Sequence, residues 1–276
     1  MIDIILKMEL ELRLGFFIAV LAGMAWWETL RPRRERSLSR SLRWPGNLGV
    51  AASAALLQRV TLPATLVGVA VIGESRGWGL LALLDLPYGL ALTLAVLALD
   101  LTIYLQHVMF HAVPLLWRLH RMHHADLDFD VTTGVRFHPV EILLSAIIKL
   151  VVIASLGAPP LAVLVFELML NATALFNHSN VAIPQAIDRW LRWFVVTPDM
   201  HRVHHSIIPH ETNSNFGFNL SWWDRLCGTY RAQPEAGHDD MTIGIRQFRD
   251  PAELRFDRML LQPFRGDAGE TPINRR

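Results

Sequence analysis

The residues best suited to chemistry in this sequence are its histidines. Twelve of the 276 residues are histidine. Most of them fall into three short patterns, His107-x3-His111, His120-x2-His123-His124 and His201-x2-His204-His205. Residues three and four apart share one face of a helix, so each pattern presents its imidazoles together. Imidazole is the commonest metal ligand and suits iron, zinc, copper and nickel. The three patterns therefore predict a metal site.

The number of histidines indicates more than one metal ion. The patterns supply eight imidazoles, and His138 and His178 lie between them in the sequence. Tetrahedral zinc takes four ligands and octahedral iron takes six, so eight to ten nitrogens exceed the needs of one ion. Without metal, so many converging imidazoles would hold polar nitrogens away from water. We therefore expect two ions with four or five nitrogens each and with open coordination positions.

The rest of the composition excludes other kinds of site. The single cysteine, Cys227, rules out an intrachain disulfide framework, CxxC redox chemistry and cysteine-ligated zinc or iron–sulfur sites. Lysine and arginine number 26 against 25 aspartate and glutamate, so no net field favours nucleic acid. Hydrophobic residues make up 52% of the chain and charged residues 18%, below the roughly 25% charge of ordinary soluble domains. This composition indicates a membrane protein.

Five apolar stretches are candidates to cross the bilayer, whose hydrocarbon core of about 30 Å needs roughly 20 apolar helical residues. They cover residues 14–30, 48–72, 87–104, 142–156 and 161–176. Arg59 and Pro63 interrupt the second stretch, and Gly157-Ala158-Pro159-Pro160 joins the last two. The last two stretches are short, so they form either a tilted or a re-entrant hairpin with its tip at the Pro-Pro turn.

Six arginines between residues 31 and 43 set the expected orientation. By the positive-inside rule they place the end of the first span on the cytoplasmic side. The following spans then bring every histidine pattern to that same face. The predicted fold class is all-α, a multi-pass membrane helical bundle with a cytoplasmic helical cap that holds a dimetal histidine site.

Asp100 is the carboxylate expected to assist the metals. Asp100, Tyr104, His107 and His111 are spaced by four, three and four residues, which forms one stripe along a helix. Metal-bound histidines usually donate their second ring N–H to a carboxylate or carbonyl, and a carboxylate inside a span needs such a partner. We therefore expect Asp100 to orient a ligand histidine. Helix capping or pairing with Arg59 is the alternative.

The histidine patterns resemble the three histidine boxes of the fatty acid hydroxylase/sterol desaturase superfamily of membrane oxidases. The resemblance extends to the residues around the boxes, at 116–118, 132–139, 176–180, 197–198, 215–217 and 223–230. It covers about residues 85–232, whereas the N-terminal spans agree only in hydropathy. Cys227 stands where the family more often has an aromatic residue.

The resemblance implies a non-haem dimetal centre, usually described as di-iron, which activates O₂ to hydroxylate or desaturate an unactivated C–H bond of a lipid. It implies that the eight box histidines are ligands, with His178 and then His138 as the ninth and tenth. Zinc is the alternative metal in purified protein. The sequence contains no haem-binding or iron–sulfur motif, so electrons are expected from a separate ferredoxin- or cytochrome-type donor with its reductase.

Two other functions stay open from the residues alone. A zinc-type hydrolase would use metal hydroxide without redox chemistry. A metal-binding transporter or sensor would place ionisable residues along several spans, which are nearly bare of them here.

The domain organisation follows from the same patterns. Residues 1–232 are expected to form the membrane-embedded catalytic domain, in a bacterial inner membrane, and residues 233–276 a polar tail with a short amphipathic helix at 252–261. Asp126, Asp128 and Asp130 are expected in a solvated loop beside the metals.

Overall fold

The protein is all-helical in the computed structural model, which describes residues 8–273. The α-helices are α1 Glu9–Leu30, α2 Arg40–Thr61, α3 Leu66–Ser75, α4 Leu80–Leu83, α5 Tyr88–Ala112, α6 Pro114–His124, α7 Pro139–Leu156, α8 Pro160–Asn177, α9 Gln185–Leu191, α10 Pro198–His204, α11 Pro209–Thr212, α12 Trp222–Leu226, α13 Gly237–Asp240 and α14 Phe256–Leu261. Three 3₁₀ turns cover Val131–Val135, Pro251–Leu254 and Gln262–Phe264. Only three isolated β-bridges occur between residues 8 and 273, so the predicted all-α class is confirmed.

Five helical segments are long and apolar enough to cross a membrane. They are α1, the run Arg40–Leu83 that contains α2 to α4, α5, α7 and α8. The expected interruption at Pro63 is present, because α2 ends at Thr61 and α3 begins at Leu66. α7 ends where Gly157 adopts a left-handed conformation with φ 65°, and Pro160 then begins α8. The predicted multi-pass helical bundle is confirmed.

All five long segments bring one end to the histidines. Near the end of α1, the buried carboxylate of Glu28 accepts backbone N–H bonds from Val131 and Asn180, both at 2.7 Å. α2 starts beside the loop that follows the second histidine pattern, and α5 ends with the first pattern. α7 begins just after His138, and α8 ends just before His178. The bundle therefore gathers its histidine patterns at one end.

The opposite end of the bundle is closed by a tight backbone contact. A Cβ atom on Gly157 would lie 1.9 Å from the carbonyl oxygen of Trp78. A side chain on Gly79, whose φ is 84°, would meet the backbone of Gly157 at 2.0 Å. Only glycine fits both positions, and this approach packs the start of α4 against the turn between α7 and α8.

An ion pair ties the peripheral helix α1 to the bundle. Arg13 binds Glu167 of α8 through two contacts, Nη1 to Oε2 at 2.9 Å and Nη2 to Oε1 at 3.2 Å. The other α1 side chains are largely apolar and exposed, as expected for a helix that faces lipid. A charged pair inside a span is costly to separate, so it fixes the position of α1 against α8.

Candidate metal centre

Nine histidines lie together in two adjacent groups. The five-histidine group consists of His107, His111, His120, His124 and His204, and the four-histidine group of His123, His178, His201 and His205. Within each group the ring nitrogens that each residue offers lie within 4.8 Å of one another. The rings of His124 and His205 stack across the two groups with centroids 4.6 Å apart. All nine side chains are at most 3% exposed.

Helix spacing explains how two identical patterns build two different groups. His120 and His124 lie one turn apart on α6 and join the five-histidine group, whereas His123 between them joins the other. In the third pattern, on α10 and the residue that follows it, the order is reversed: His201 and His205 join the four-histidine group and the histidine between them joins the five-histidine group. Each HxxHH pattern therefore contributes to both groups.

The distances between ring nitrogens fit ligands that share an ion. Nε2 of His120 lies 3.1 Å from Nε2 of His107 and 3.2 Å from Nε2 of His124. Nε2 of His178 lies 3.1 Å from Nε2 of His123 and 3.1 Å from Nε2 of His201. Two nitrogens at about 2.1 Å from one ion lie about 3.0 Å apart at a right angle and about 3.4 Å apart at the tetrahedral angle. The observed spacings lie between these two values.

Most rings of the five-histidine group are fixed through their second nitrogen. Four Nδ1 atoms lie against an oxygen acceptor: His107 against Phe216 O at 2.7 Å, His204 against Ser214 O at 2.7 Å, His111 against Asn213 Oδ1 at 3.0 Å and His120 against Glu141 Oε1 at 2.6 Å. An Nδ1–H that donates in this way leaves the Nε2 lone pair free for a metal. Residues 213–216 supply three of these four acceptors.

The four-histidine group has fewer such contacts. Nδ1 of His178 lies 2.7 Å from the carbonyl oxygen of Ala174, one turn earlier in α8. Nδ1 of His123, His201 and His205 has no hydrogen-bond partner within residues 8–273. Three of these four rings are therefore held only by packing.

Burial keeps the imidazoles neutral. Desolvation lowers the pKa of His120 and of His178 to about 3. Desolvation and then the neighbouring imidazoles hold the pKa of His124 and of His205 well below the usual value. Neutral imidazole is the form that binds a metal. The buried Nε2 of His204 has no partner among the described residues, so the donor set fits metal ions.

Glu141 is a site residue that the sequence analysis missed. It lies in the first turn of α7, is 4% exposed, and its carboxylate accepts the hydrogen bond from Nδ1 of His120. The signal in the sequence was a carboxylate at the start of an apolar helix, three residues after His138. Acidic residues favour helix N-termini for electrostatic reasons alone, so this position did not distinguish a ligand partner from an ordinary first-turn residue.

Asp100 is buried on the predicted stripe, but its partners differ from those expected. Its carboxylate accepts hydrogen bonds from the Asn219 side chain at 2.8 Å, the Trp223 indole N–H at 2.8 Å and the Leu220 backbone N–H at 3.2 Å. It makes no hydrogen bond to a histidine or to Arg59 within residues 8–273. The expected contact between Asp100 and a ligand is therefore corrected, because Asp100 anchors the segment 219–223.

His138 lies outside both groups, which corrects its expected role as the tenth ligand. Pro139 occupies the first position of α7, and this makes His138 the residue that caps the helix. Nδ1 of His138 accepts the backbone N–H of Val140 at 3.2 Å. The structure brings together the other nine histidines that were predicted, including His178.

The loop after the second histidine pattern is buried, not solvated as expected. Arg43 donates from Nε and Nη2 to the two oxygens of Asp126 at 2.9 and 2.7 Å, and from Nη1 to Asp130 at 2.6 Å. All three side chains are fully buried. This network fixes the start of α2 against the end of α6, which carries three of the nine histidines.

The C-terminal segment covers the five-histidine group. The indole N–H of Trp117 donates to the carbonyl oxygen of Ala268 at 2.9 Å. The backbone N–H of Ile273 donates to the carbonyl oxygen of His111 at 3.0 Å. The amphipathic stretch at 252–261 overlaps the 3₁₀ turn Pro251–Leu254 and includes α14. The polar tail therefore packs on α6 and separates this group from solvent.

Together, the bundle and its histidine groups define a membrane-type helical protein with a candidate metal centre. The family model described as fatty acid hydroxylase matches residues 92–229, half of the chain, which include all nine grouped histidines. The chain belongs to the fatty acid hydroxylase family.

Several curated proteins are similar to this chain. The ornithine lipid hydroxylase OlsE of Rhizobium tropici is 30% identical over 157 residues, which cover 57% of this chain and 46% of the relative. The alkylglycerol monooxygenase of Xenopus tropicalis is 27% identical over 201 residues, 70% of this chain and 43% of the relative. The cholesterol 25-hydroxylase of Rattus norvegicus is 27% identical over 146 residues, 52% and 47% respectively.

The chain spans about half the length of these curated relatives. No solved structure matches it.

Proposed function

We propose that this protein is an O₂-dependent oxidoreductase that hydroxylates or desaturates an unactivated C–H bond of a lipid at two histidine-bound iron ions. The observation that carries the proposal is the pair of adjacent, buried histidine groups at one end of an apolar helical bundle. Soluble di-iron bundles pair glutamates with histidines, whereas this donor set consists of imidazole alone.

Iron is the metal that the donor set and the family favour together. Imidazole suits iron, copper, nickel and zinc, so the ligands alone do not choose among them. When bound, two iron ions with open positions would supply the redox chemistry that activates O₂. Five nitrogens in one group and four in the other are fewer than the six that octahedral iron takes, which leaves room for an exogenous ligand.

The chain's own residues have three tasks in this function. Backbone and side-chain oxygens at residues 213–216, together with Glu141, hold Nδ1 of four rings and so direct their Nε2 atoms inward. The low exposure of all nine histidines excludes bulk water and so limits side reactions. The apolar core would direct the hydrocarbon chain of a lipid to the same end of the bundle.

Lipid is the substrate class that the relatives share by name, since they are named for ornithine lipid, alkylglycerol and cholesterol. Two of the three are named hydroxylases and one a monooxygenase, which favours hydroxylation over desaturation here.

The proposed location is a bacterial inner membrane with the histidine end on the cytoplasmic side. The arginines between residues 31 and 43 support this orientation, because they follow the end of α1 that lies beside the histidines. A separate ferredoxin- or cytochrome-type protein with its reductase would deliver electrons from that side.

Metal analysis combined with turnover tests the proposal. Purified protein loaded with iron should contain about two ions per chain, one per histidine group, and should incorporate one atom of ¹⁸O₂ into a lipid, or desaturate it, when given reductant. Replacement of His123 or His204 with alanine should remove metal and activity together. Iron-loaded protein that neither consumes O₂ nor oxidises lipid would overturn the proposal, and lipid hydrolysis by the zinc form would favour a hydrolase.

A further inference from the structure

Two aromatic side chains join the apolar core to the histidines. Phe218 belongs to the core formed by α3, α5, α7 and α8, and Phe137 packs against the same core. The ring of Phe137 stacks on His123 with centroids 4.2 Å apart and planes inclined by 12°. The ring of Phe218 lies 5.3 Å from His107 and 5.8 Å from His201. The Phe137–Phe218 pair therefore touches both histidine groups from the membrane side.

The other aromatic side chains that contact the histidines do not belong to this apolar core; they are Phe110, Trp117, Phe129 and Phe216. Phe129 lies 5.1 Å from His205, but it packs in a separate cluster with residues 241 and 243 of the C-terminal segment. Trp117 lies 4.8 Å from His111 and is held by the carbonyl of Ala268. Within residues 8–273, Phe137 and Phe218 are the aromatic side chains that contact both the histidines and the apolar core, so a lipid chain that approaches through this core would meet them first.

The position of Phe218 is fixed by buried hydrogen bonds. The Asn177 side chain at the end of α8 donates to the carbonyl oxygen of Phe218 at 3.0 Å. The next residue, Asn219, donates from its side chain to Asp100 at 2.8 Å. A buried carboxylate within a span is costly, and here it holds the segment that presents Phe218 to the metals.

We propose that Phe137 and Phe218 bind the alkyl chain of the substrate at the point where it meets the metal pair, and that the substrate carries an unbranched chain there. This inference rests on the proposed function. The two rings are in contact, with centroids 6.3 Å apart and planes inclined by 43°. One ring can turn to admit a slim chain, whereas a rigid fused-ring system would displace both rings from a well-packed core.

Photolabelling tests whether Phe137 and Phe218 bind an alkyl chain, and it needs no turnover. The iron-loaded protein is placed in vesicles of phosphatidylcholine whose acyl chain carries a mid-chain diazirine, and the adducts are mapped by mass spectrometry without reductant. We expect adducts at residues 136–138 and 217–219. The variant Phe218→Trp places a larger ring at the Phe137–Phe218 pair, and we expect about tenfold less labelling at both segments.

Two further variants keep the test decisive. Phe129→Trp makes the same change on the opposite side of the histidines and should leave the adducts unchanged. Phe218→Ala covers the case in which the tryptophan variant does not fold, and it should move the adducts from 217–219 to the histidine-bearing peptides of α5 and α10. The iron content of each variant reports whether its site is intact.

Three outcomes would overturn the inference: adducts confined to other lipid-facing helices, equal labelling in wild type and both Phe218 variants, or stronger labelling of the two segments by a diazirine sterol. The proposed function fails separately. Normal labelling without lipid oxidation would contradict the function alone, whereas lipid oxidation with labelling that ignores Phe218 would contradict this inference alone.

Discussion

In the five-histidine group, four of the five Nδ1 atoms lie against an oxygen acceptor of the protein, and one of these acceptors is the carboxylate of Glu141. In the four-histidine group only Nδ1 of His178 has such an acceptor. Burial does not separate the groups, since all nine side chains are nearly inaccessible. The difference lies in how firmly each ring is oriented before a metal arrives.

A single sequence pattern can therefore build two unlike sites. Rings fixed through Nδ1 lose little further freedom when a metal binds, and a carboxylate partner raises the basicity of the imidazole. We therefore expect the five-histidine group to hold its ion more tightly. The four-histidine group, with fewer nitrogens and looser rings, is expected to exchange its ion and to accept exogenous ligands more readily.

Removal of one ligand from each group should give the largest effects. We expect both His201→Ala and His124→Ala to lower lipid oxidation by at least about 100-fold. Iron should fall to about one ion per chain in the His201 variant, because three nitrogens remain in its group, and stay nearer two in the His124 variant, where four remain. Iron content and product formation, measured on the same preparations, check this.

The matched control for these variants is His210→Ala. His210 is exposed and pairs with Glu235 at 2.6 Å, and the group that these two form with Glu211 shares no residue with the nine buried histidines. The His210→Ala variant should keep full iron content and activity. Equal loss of iron from the His201 and His124 variants would contradict the proposed difference between the groups.

A chelator should remove the two ions at different rates. We expect release in two phases of equal amplitude that differ by about tenfold in rate, because second contacts of this kind typically change metal affinity 10–100-fold. Absorbance of a chromogenic iron chelator gives the time course. His205→Ala should abolish the fast phase, and His124→Ala should accelerate the slow one. Release of both ions in one phase would show that the sites are equivalent.

Neutralising Glu141 should weaken one group selectively. In Glu141→Gln the amide keeps the size of the side chain but removes its charge, so His120 becomes less basic. We expect iron affinity of the five-histidine group to fall about tenfold and that of the other group to stay the same. Glu167→Gln, a buried glutamate that binds Arg13, is the control. Unchanged affinity in Glu141→Gln would show that packing alone orients His120.

The sequence could predict the ligands better than their surroundings. Eight of the nine grouped histidines follow from spacing, because helical neighbours three and four residues apart share a face, whereas His178 was expected from the family resemblance alone. Their division into two groups depends on how α6 docks against α10, and no local pattern encodes that. The Nδ1 acceptors of His107 and His204 are backbone carbonyls, which have no side-chain signature.

The two corrected residues show the same limit. Asp100 was placed on the right helical stripe, but its partners lie about 120 residues away in the sequence, at Asn219 and Trp223. His138 was expected as a ligand because of its neighbours in the sequence. Pro139 begins α7, however, and the His138 ring accepts the backbone N–H of Val140 as the helix cap. The partners of Asp100 depend on the packing of distant segments, and the role of His138 depends on where α7 begins. Neither could be read from the spacing of the histidines.

Acid should destabilise both groups alike, so the smallest difference between them is expected here. Burial lowers the pKa of His120 and of His178, one from each group, to about 3, whereas an unfolded chain titrates near 6.5. Between these values the unfolded state binds protons that the folded state does not. Stability is therefore fully present above pH 6.5 and falls with decreasing pH, by about 1.4 kcal/mol per pH unit for each such histidine.

The unfolding midpoint of the metal-free protein in detergent, measured at pH 7.5 and pH 5.5, tests this expectation. His124→Ala and His205→Ala each remove one buried imidazole, and the pKa of both residues lies well below its usual value. Both variants should lower the pH dependence by a similar amount. A much larger change in one of them would mean that the groups differ in electrostatics as well as in ring orientation, and that the difference in metal retention has a second cause.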